Sequence, residues 1–215
     1  HARAGILRRD ATAARRAPGV VAVLLAEDIP GENNTGPARH DEPLLAKDEV
    51  LFHGQTVAVI VGESVQACRA AAALLEIDYQ PLPALLGIKA AVAADSFHTD
   101  WHALKRGDCA TALAAAPARF EGEFELGGQE HFYLETQAAW AEAGEDDTVT
   151  VHSSTQHPSE IQAIVAEVLH LPRHKIVVQA PRMGGGFGGK ETQGNAIAAI
   201  VALAARLGLP LEIRR

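Results

Sequence analysis

The sequence predicts an α+β fold built from two modules, and two observations carry that expectation. Before about residue 95, short apolar runs bounded by Pro and Gly alternate with Ala-rich stretches of helical period, and after about residue 125 the same alternation resumes. Between them, residues 95–117 mix polar residues, Gly107 and a short alanine tract that ends at Pro117, the composition of a connector. We divide the chain into residues 1–110 and 111–215, the boundary falling near 110–125.

In the first module, residues 10–17 form a short helix with Asp10 as its N-cap, stopped by Pro18-Gly19. Residues 20–25, Val-Val-Ala-Val-Leu-Leu, give a buried strand. Residues 30–43, with Pro30, Gly31, Asn33, Asn34, Gly36, Pro37 and Pro43, make a long polar loop. A strand follows at 56–61, an Ala-rich helix at 63–75 and a strand at 76–79 that ends in Pro81-Leu82-Pro83. The tract Ala112–Ala116 is a short helix of no chemical interest, and residues 119–126 alternate polar and apolar as a half-exposed strand does. In the second module the spacing predicts a strand at 148–152 and a helix at 158–169. Pro158 sits in the first turn of that helix, and Ile161, Ile164, Val165, Val168 and Leu169 share one face. A strand at 175–179 leads to a glycine-rich turn, then a helix over 191–207 ended by Gly208, and the chain closes on 209–215 as a strand just starting.

Composition excludes several classes. The chain is 47% hydrophobic, enough for a core, and 27 acids against 19 bases give a net charge of −8 with no basic block, which argues against nucleic acid. No apolar run approaches the ~20 residues of a membrane span, and no secretory leader pattern opens the chain. Cys68 and Cys109 form no C-x-x-C pair, so a disulfide framework or an iron–sulfur cluster held here is not expected, and a reducing cytoplasm is. The start at His1, the single methionine Met183 and the half-strand at the end lead us to expect a piece of a longer protein.

Five glycines in the six positions 184–189 are the loudest local feature, at a cost in backbone entropy that makes sense where the chain must approach something closely. A flexible connection is the bland alternative, though a tight turn needs only one or two glycines. Gly184-x-x-x-x-Gly189-Lys190 matches a phosphate-binding P-loop up to Glu191, which stands where a Mg²⁺-binding hydroxyl belongs. Gly184-x-Gly186-x-x-Gly189 also matches a dinucleotide fingerprint, with Glu212 about 20 residues on, but Pro181-Arg182-Met183 intervenes between strand and first glycine.

The neighbouring runs supply a third reading. Residues 127–135, Gly-Gly-Gln-Glu-His-Phe-Tyr-Leu-Glu, residues 153–158, Ser-Ser-Thr-Gln-His-Pro, and residues 182–191 together resemble the molybdenum-binding subunit of the xanthine dehydrogenase/xanthine oxidase family. Residues 17–23 and 53–58 resemble that family's N-terminal hammerhead module. The resemblance implies an α/β hammerhead-like module over 1–110 and the incomplete N-terminal part of a molybdenum-cofactor-binding domain over 111–215. The run at 127–135 resembles the xanthine-oxidising branch more than the aldehyde or carbon monoxide branches.

It also implies roles. The cofactor is a molybdenum–molybdopterin, and backbone N–H groups of Gly185, Gly186, Gly188 and Gly189 would form part of its wall. Phe187 would set its backbone beside the metal, and the Gln129 side chain would hydrogen-bond an oxo ligand, so both act on the metal without a direct side-chain bond. Glu191 would orient a purine substrate. Each has a plain alternative: Gln129 a surface amide, Phe187 a core plug, Glu191 an acid at a helix N-terminus. His131 and His157 read as structural, and Glu130 with Glu135 does not make a convincing acid–base pair. The implied reaction is purine hydroxylation, from hypoxanthine and xanthine toward urate, with electrons passing through [2Fe–2S] clusters to FAD on a partner subunit or segment. The family's general base lies downstream, so no catalytic residue is expected within this chain, and neither a nucleic acid nor a membrane is among its partners. A competing reading is a binding module that kept the fold and lost the chemistry.

Overall fold

A computed structural model describes residues 1–207 and 211–214. They divide by contacts into one unit of residues 1–83 with 131–215 and a second of residues 84–130.

In the larger unit, β1 (Ala4–Asp10) lies between β3 (Glu49–Val50) and β5 (Glu76–Pro81), antiparallel to both. The pair β2 (Val20–Leu24) and β4 (Val59–Gly62) forms a separate antiparallel ribbon. Helix α1 is shorter than expected, Thr12–Arg15, because Asp10 still belongs to β1; its side chain accepts from Thr12 N at 2.9 Å instead of capping a longer helix. Helix α2 (Val65–Ala72) is capped by Ser64, whose hydroxyl accepts from Ala67 N at 3.1 Å.

The remaining sheet has the order β8-β7-β6-β9. Its members are β6 (Ala138–Ala143), β7 (Val149–Ser153), β8 (Ile176–Gln179) and β9 (Leu211–Arg214). β7 and β8 are parallel, and the crossover between them is α5 (Pro158–Leu169), with the bounds its periodicity predicts. A parallel pair cannot be closed by a tight turn, so this helix is the obligatory connection. The expected C-terminal strand is present and pairs antiparallel with β6, while Gly208, proposed as the helix stop, lies outside the described residues.

One core joins both parts of the sequence. Val149, Val151, Ile161, Val165 and Val201 are 0–1% exposed, and Leu45, Val61 and Ile29 from the first 83 residues belong to the same cluster. Each such side chain removed from water contributes roughly 1.5–3 kcal/mol, which ties the polar loop after β2 to the second sheet. Helix α6 (Gly194–Ala205) is buried on nearly all sides and lies against β6, where Ala139 and Ala141 leave room for it.

The unit of residues 84–130 carries α3 (Ile88–Ala93) and α4 (Cys109–Ala115), neither with a buried residue. Asp108 caps α4 through Thr111 N at 3.1 Å and Thr111 Oγ1 at 2.7 Å. The strand expected over 119–126 does not form. Alternation alone supplies two faces but no ladder, and Phe120 and Phe124 are 98% and 90% exposed. Cys68 and Cys109 are both free thiols, and no helix among the described residues is long and apolar enough to cross a membrane.

Candidate functional site

The glycine turn does not sit where either phosphate motif needs it. β8 ends at Gln179 and α6 begins at Gly194, so irregular segments of four residues, 180–183 and 190–193, separate the glycines from both elements. A dinucleotide fingerprint turns directly off a strand into a helix. The P-loop reading fails on its lysine. Lys190 is 0% exposed and its ammonium points into the protein, donating to Glu135 Oε2 at 2.9 Å and Ser154 Oγ at 2.8 Å, with the Tyr133 ring centroid 4.8 Å away.

That ammonium is one corner of an anchor the sequence did not announce. Glu135 Oε2 also accepts from Ser154 Oγ at 2.6 Å and from the backbone N–H of Gly184 at 2.7 Å. These donors, Ser154 first, then Gly184 and Lys190, hold the Glu135 carboxyl well below its usual range, at about 2. The Glu135 side chain remains 41% exposed, whereas its cationic partner is sealed. Glu135, Ser154 and Arg182 also line a cleft of about 470 Å³ with Trp140 and His152, whose rings stack 4.0 Å apart and 3° from parallel. Spacing alone does not make Glu135 a convincing acid–base partner of Glu130, and its role as an anchor has no local signal, because Lys190 and Ser154 come from 55 and 19 residues away.

The turn itself is held in an unusual backbone state. Gly185 and Gly188 have φ of +94° and +93°, which glycine tolerates, and Phe187 between them has φ of +52°, which it adopts only under constraint. Gly189 N donates to Gly186 O at 2.7 Å, and Gly188 N and Lys190 N both reach the side-chain oxygen of Gln156, at 3.0 and 3.3 Å. Gln137 ties the end of the turn by donating to Gly189 O at 2.8 Å and to Tyr133 Oη at 3.0 Å. Among the described residues, the N–H groups of Gly185, Gly186 and Phe187 find no protein acceptor. Consecutive N–H groups beside residues of positive φ form a concave donor surface, the chemistry that an acceptor-rich, anionic ligand requires. The residues therefore fit a phosphorylated pterin carrying a dithiolene.

Of the site residues read from the sequence, Gly185, Gly186, Phe187, Gly188, Gly189 and Glu191 are together on this turn. Phe187 is 76% exposed, which disposes of the core-plug alternative. Glu191 lies ahead of α6, not within its first turn, so the helix-dipole alternative has no geometry behind it. Gln129 is an exposed residue outside any helix or strand in the unit of residues 84–130. His157 faces Glu160 at 3.5 Å, and the His131 ring is tilted against Tyr133 at 6.3 Å between centroids.

Comparison with known proteins places this turn inside a matched domain. Residues 92–212 match the family model of the molybdopterin cofactor-binding domain, and residues 1–83 match that of the aldehyde oxidase and xanthine dehydrogenase a/b hammerhead domain. The chain is 42% identical over 203 residues to xanthine dehydrogenase of Dictyostelium discoideum, covering 94% of this chain and 15% of that protein. In structure it is similar to quinoline 2-oxidoreductase from Pseudomonas putida 86, with a TM-score of 0.84 and 29% identity over 100% of this chain and 29% of that one. The aldehyde oxidoreductase of Desulfovibrio gigas gives a TM-score of 0.83 and 28% identity over 100% of this chain and 26% of that one. The chain thus spans a small part of the length of each of these relatives.

Proposed function

The chain belongs to the aldehyde oxidase and xanthine dehydrogenase family of molybdenum hydroxylases, and from that premise we propose that it is part of the molybdenum subunit of a purine-oxidising enzyme. The reaction proposed is hydroxylation of hypoxanthine and xanthine toward urate. The observation that carries the reading is the run of three N–H groups without a protein acceptor, Gly185, Gly186 and Phe187, inside the segment matched by the cofactor-binding family model. The 42% identity to a xanthine dehydrogenase favours the purine branch over the aldehyde and N-heterocycle branches, to which the structural relatives at 28–29% identity belong.

When bound, a molybdenum–molybdopterin supplies the two-electron oxidation and the oxygen transfer. The chain's own residues hold and shape. The N–H groups of Gly185, Gly186 and Phe187 donate to it. Gly188 and Gly189, whose N–H groups are spent inside the protein, serve by the curvature they give the turn. The exposed Phe187 ring screens the site from water, and Gln129 contributes its side-chain amide to the metal's surroundings. Glu191, at the far end of the turn, hydrogen-bonds and orients the purine. In this reading residues 1–110 form the hammerhead-like module and residues 111–215 the opening of the cofactor-binding domain. The rest of the molybdenum subunit and a unit carrying FAD and [2Fe–2S] clusters complete the enzyme, in the cytoplasm.

The test is turnover. The intact protein that carries this sequence is expected to form urate from xanthine, and residues 1–215 by themselves to form none. Oxidation of aldehydes or quinoline-type heterocycles without purine turnover would move the protein to another branch, and xanthine oxidation by residues 1–215 alone would refute the division of labour.

A further inference from the structure

The glycine turn has seven consecutive N–H groups, from Gly184 to Lys190, and the protein takes up four of them. Gly184 donates to Glu135, Gly189 to the carbonyl of Gly186, and Gly188 and Lys190 to one atom, the side-chain oxygen of Gln156. We propose that Gln156 is a positioning residue of this site: by claiming the N–H groups of Gly188 and Lys190 it holds Phe187 at positive φ and leaves the N–H groups of Gly185, Gly186 and Phe187 uncommitted and available to a ligand. The inference rests on the cofactor reading above and names a residue that reading does not use.

Three features support the assignment. Gln156 is fixed at both ends, since its own N–H donates to Lys190 O at 2.8 Å, so backbone and side chain grip opposite sides of the same peptide segment. The grip stands on a rigid base. Gln156 lies between β7 and α5, and the neighbouring Thr155 hydroxyl contacts Lys190 O at 3.4 Å while accepting from His157 N at 3.0 Å. The amide oxygen also lies directly beneath the turn, 2.5 Å from where a Cβ on Gly186 would stand, so the turn curves over it. A residue of the strained φ seen at Phe187 persists only when its surroundings over-determine it. Here the constraint is bracketed by Glu135 at Gly184 and Gln156 at Gly188.

The chemistry of the residue matters as much as its place. The acceptor is a neutral amide, so it fixes the donors without setting a negative charge under a surface meant for an anionic, acceptor-rich ligand. The carboxylate at the other anchor, Glu135, has a buried ammonium against it. Gln156→Glu keeps an acceptor in place and adds the charge; Gln156→Ala removes the acceptor.

The experiment uses the intact protein in three forms, wild type, Q156A and Q156E, with amide hydrogen exchange over residues 184–191 and molybdenum and pterin content as readouts. In Q156A the Gly188 and Lys190 amides should exchange about tenfold faster, the loss expected for a hydrogen bond of ordinary strength. Bound cofactor should fall about tenfold or more, the usual consequence of losing an outer-shell support. Q156E should keep wild-type protection of those amides and still lose cofactor, a split that a purely structural role does not produce. Full cofactor in Q156A, or full cofactor in Q156E, overturns the proposal. Should wild type itself carry no pterin, the functional reading fails instead, and unchanged exchange in Q156A would then dispose of the clamp separately.

Discussion

Replacing Glu135 by alanine is expected to destabilise the protein by about 3–4 kcal/mol, the cost of leaving the sealed Lys190 ammonium with Ser154 as its remaining hydrogen-bond acceptor. The reverse truncation is expected to be milder. In Lys190→Met the apolar chain still fills the site, and the Glu135 carboxylate, 41% exposed, can be hydrated while keeping Ser154 and Gly184 as donors, so about 1–2 kcal/mol is expected. The pH dependence has a definite sign. The Glu135 carboxyl falls from an ordinary 4.5 to about 2 on folding, so its contribution is complete above pH 4.5 and is lost as pH drops toward 2. Denaturant unfolding of wild type and Glu135→Ala should therefore show a gap that is constant near neutral pH and narrows below 4.5. A gap that widens in acid would contradict the anchor.

Gly31→Ala is expected to cost about 3 kcal/mol, although the position lies in a polar loop far from the turn. Gly31 N and Glu32 N donate to the carbonyls of Val168 and Glu167, both at 3.0 Å, at the C-terminal turn of α5. A Cβ on Gly31 would stand 1.9 Å from Glu167 O, 2.8 Å from His170 N and 2.9 Å from Val168 O. All three are backbone atoms, so no side chain can swing aside, and the change falls at the severe end of overpacking. Because α5 carries the core beneath the sheet, the loss should appear as a drop in the unfolding midpoint for the whole larger unit. Retention of the wild-type midpoint would mean that the loop does not lie on the helix.

These two sites show what the sequence can and cannot disclose. Helix α5 was legible to the residue because Pro158 and a clean apolar face act locally. β6 was not. Its Ala-Ala-Trp-Ala-Glu-Ala favours helix, and only pairing with β7 on one side and β9 on the other makes it a strand. Residues 119–126 err in the opposite direction, with a strand pattern and no partner to complete it. At the site, the glycine run points to a close approach to something, and the family resemblance supplies a cofactor to fit. The anchors escaped because each links residues 19 to 55 positions apart, and nothing in a single sequence couples Glu135 to Lys190 or Gln156 to Gly188.

In the proposed function the chemistry rests on backbone donors arranged by side chains, so a net charge of −8 does not stand against an anionic cofactor. The most direct test is to purify the intact protein that carries this sequence and measure molybdenum and pterin against chain concentration. The account predicts molybdenum and pterin in equal amounts, stoichiometric with the chain. Absence of both would contradict it.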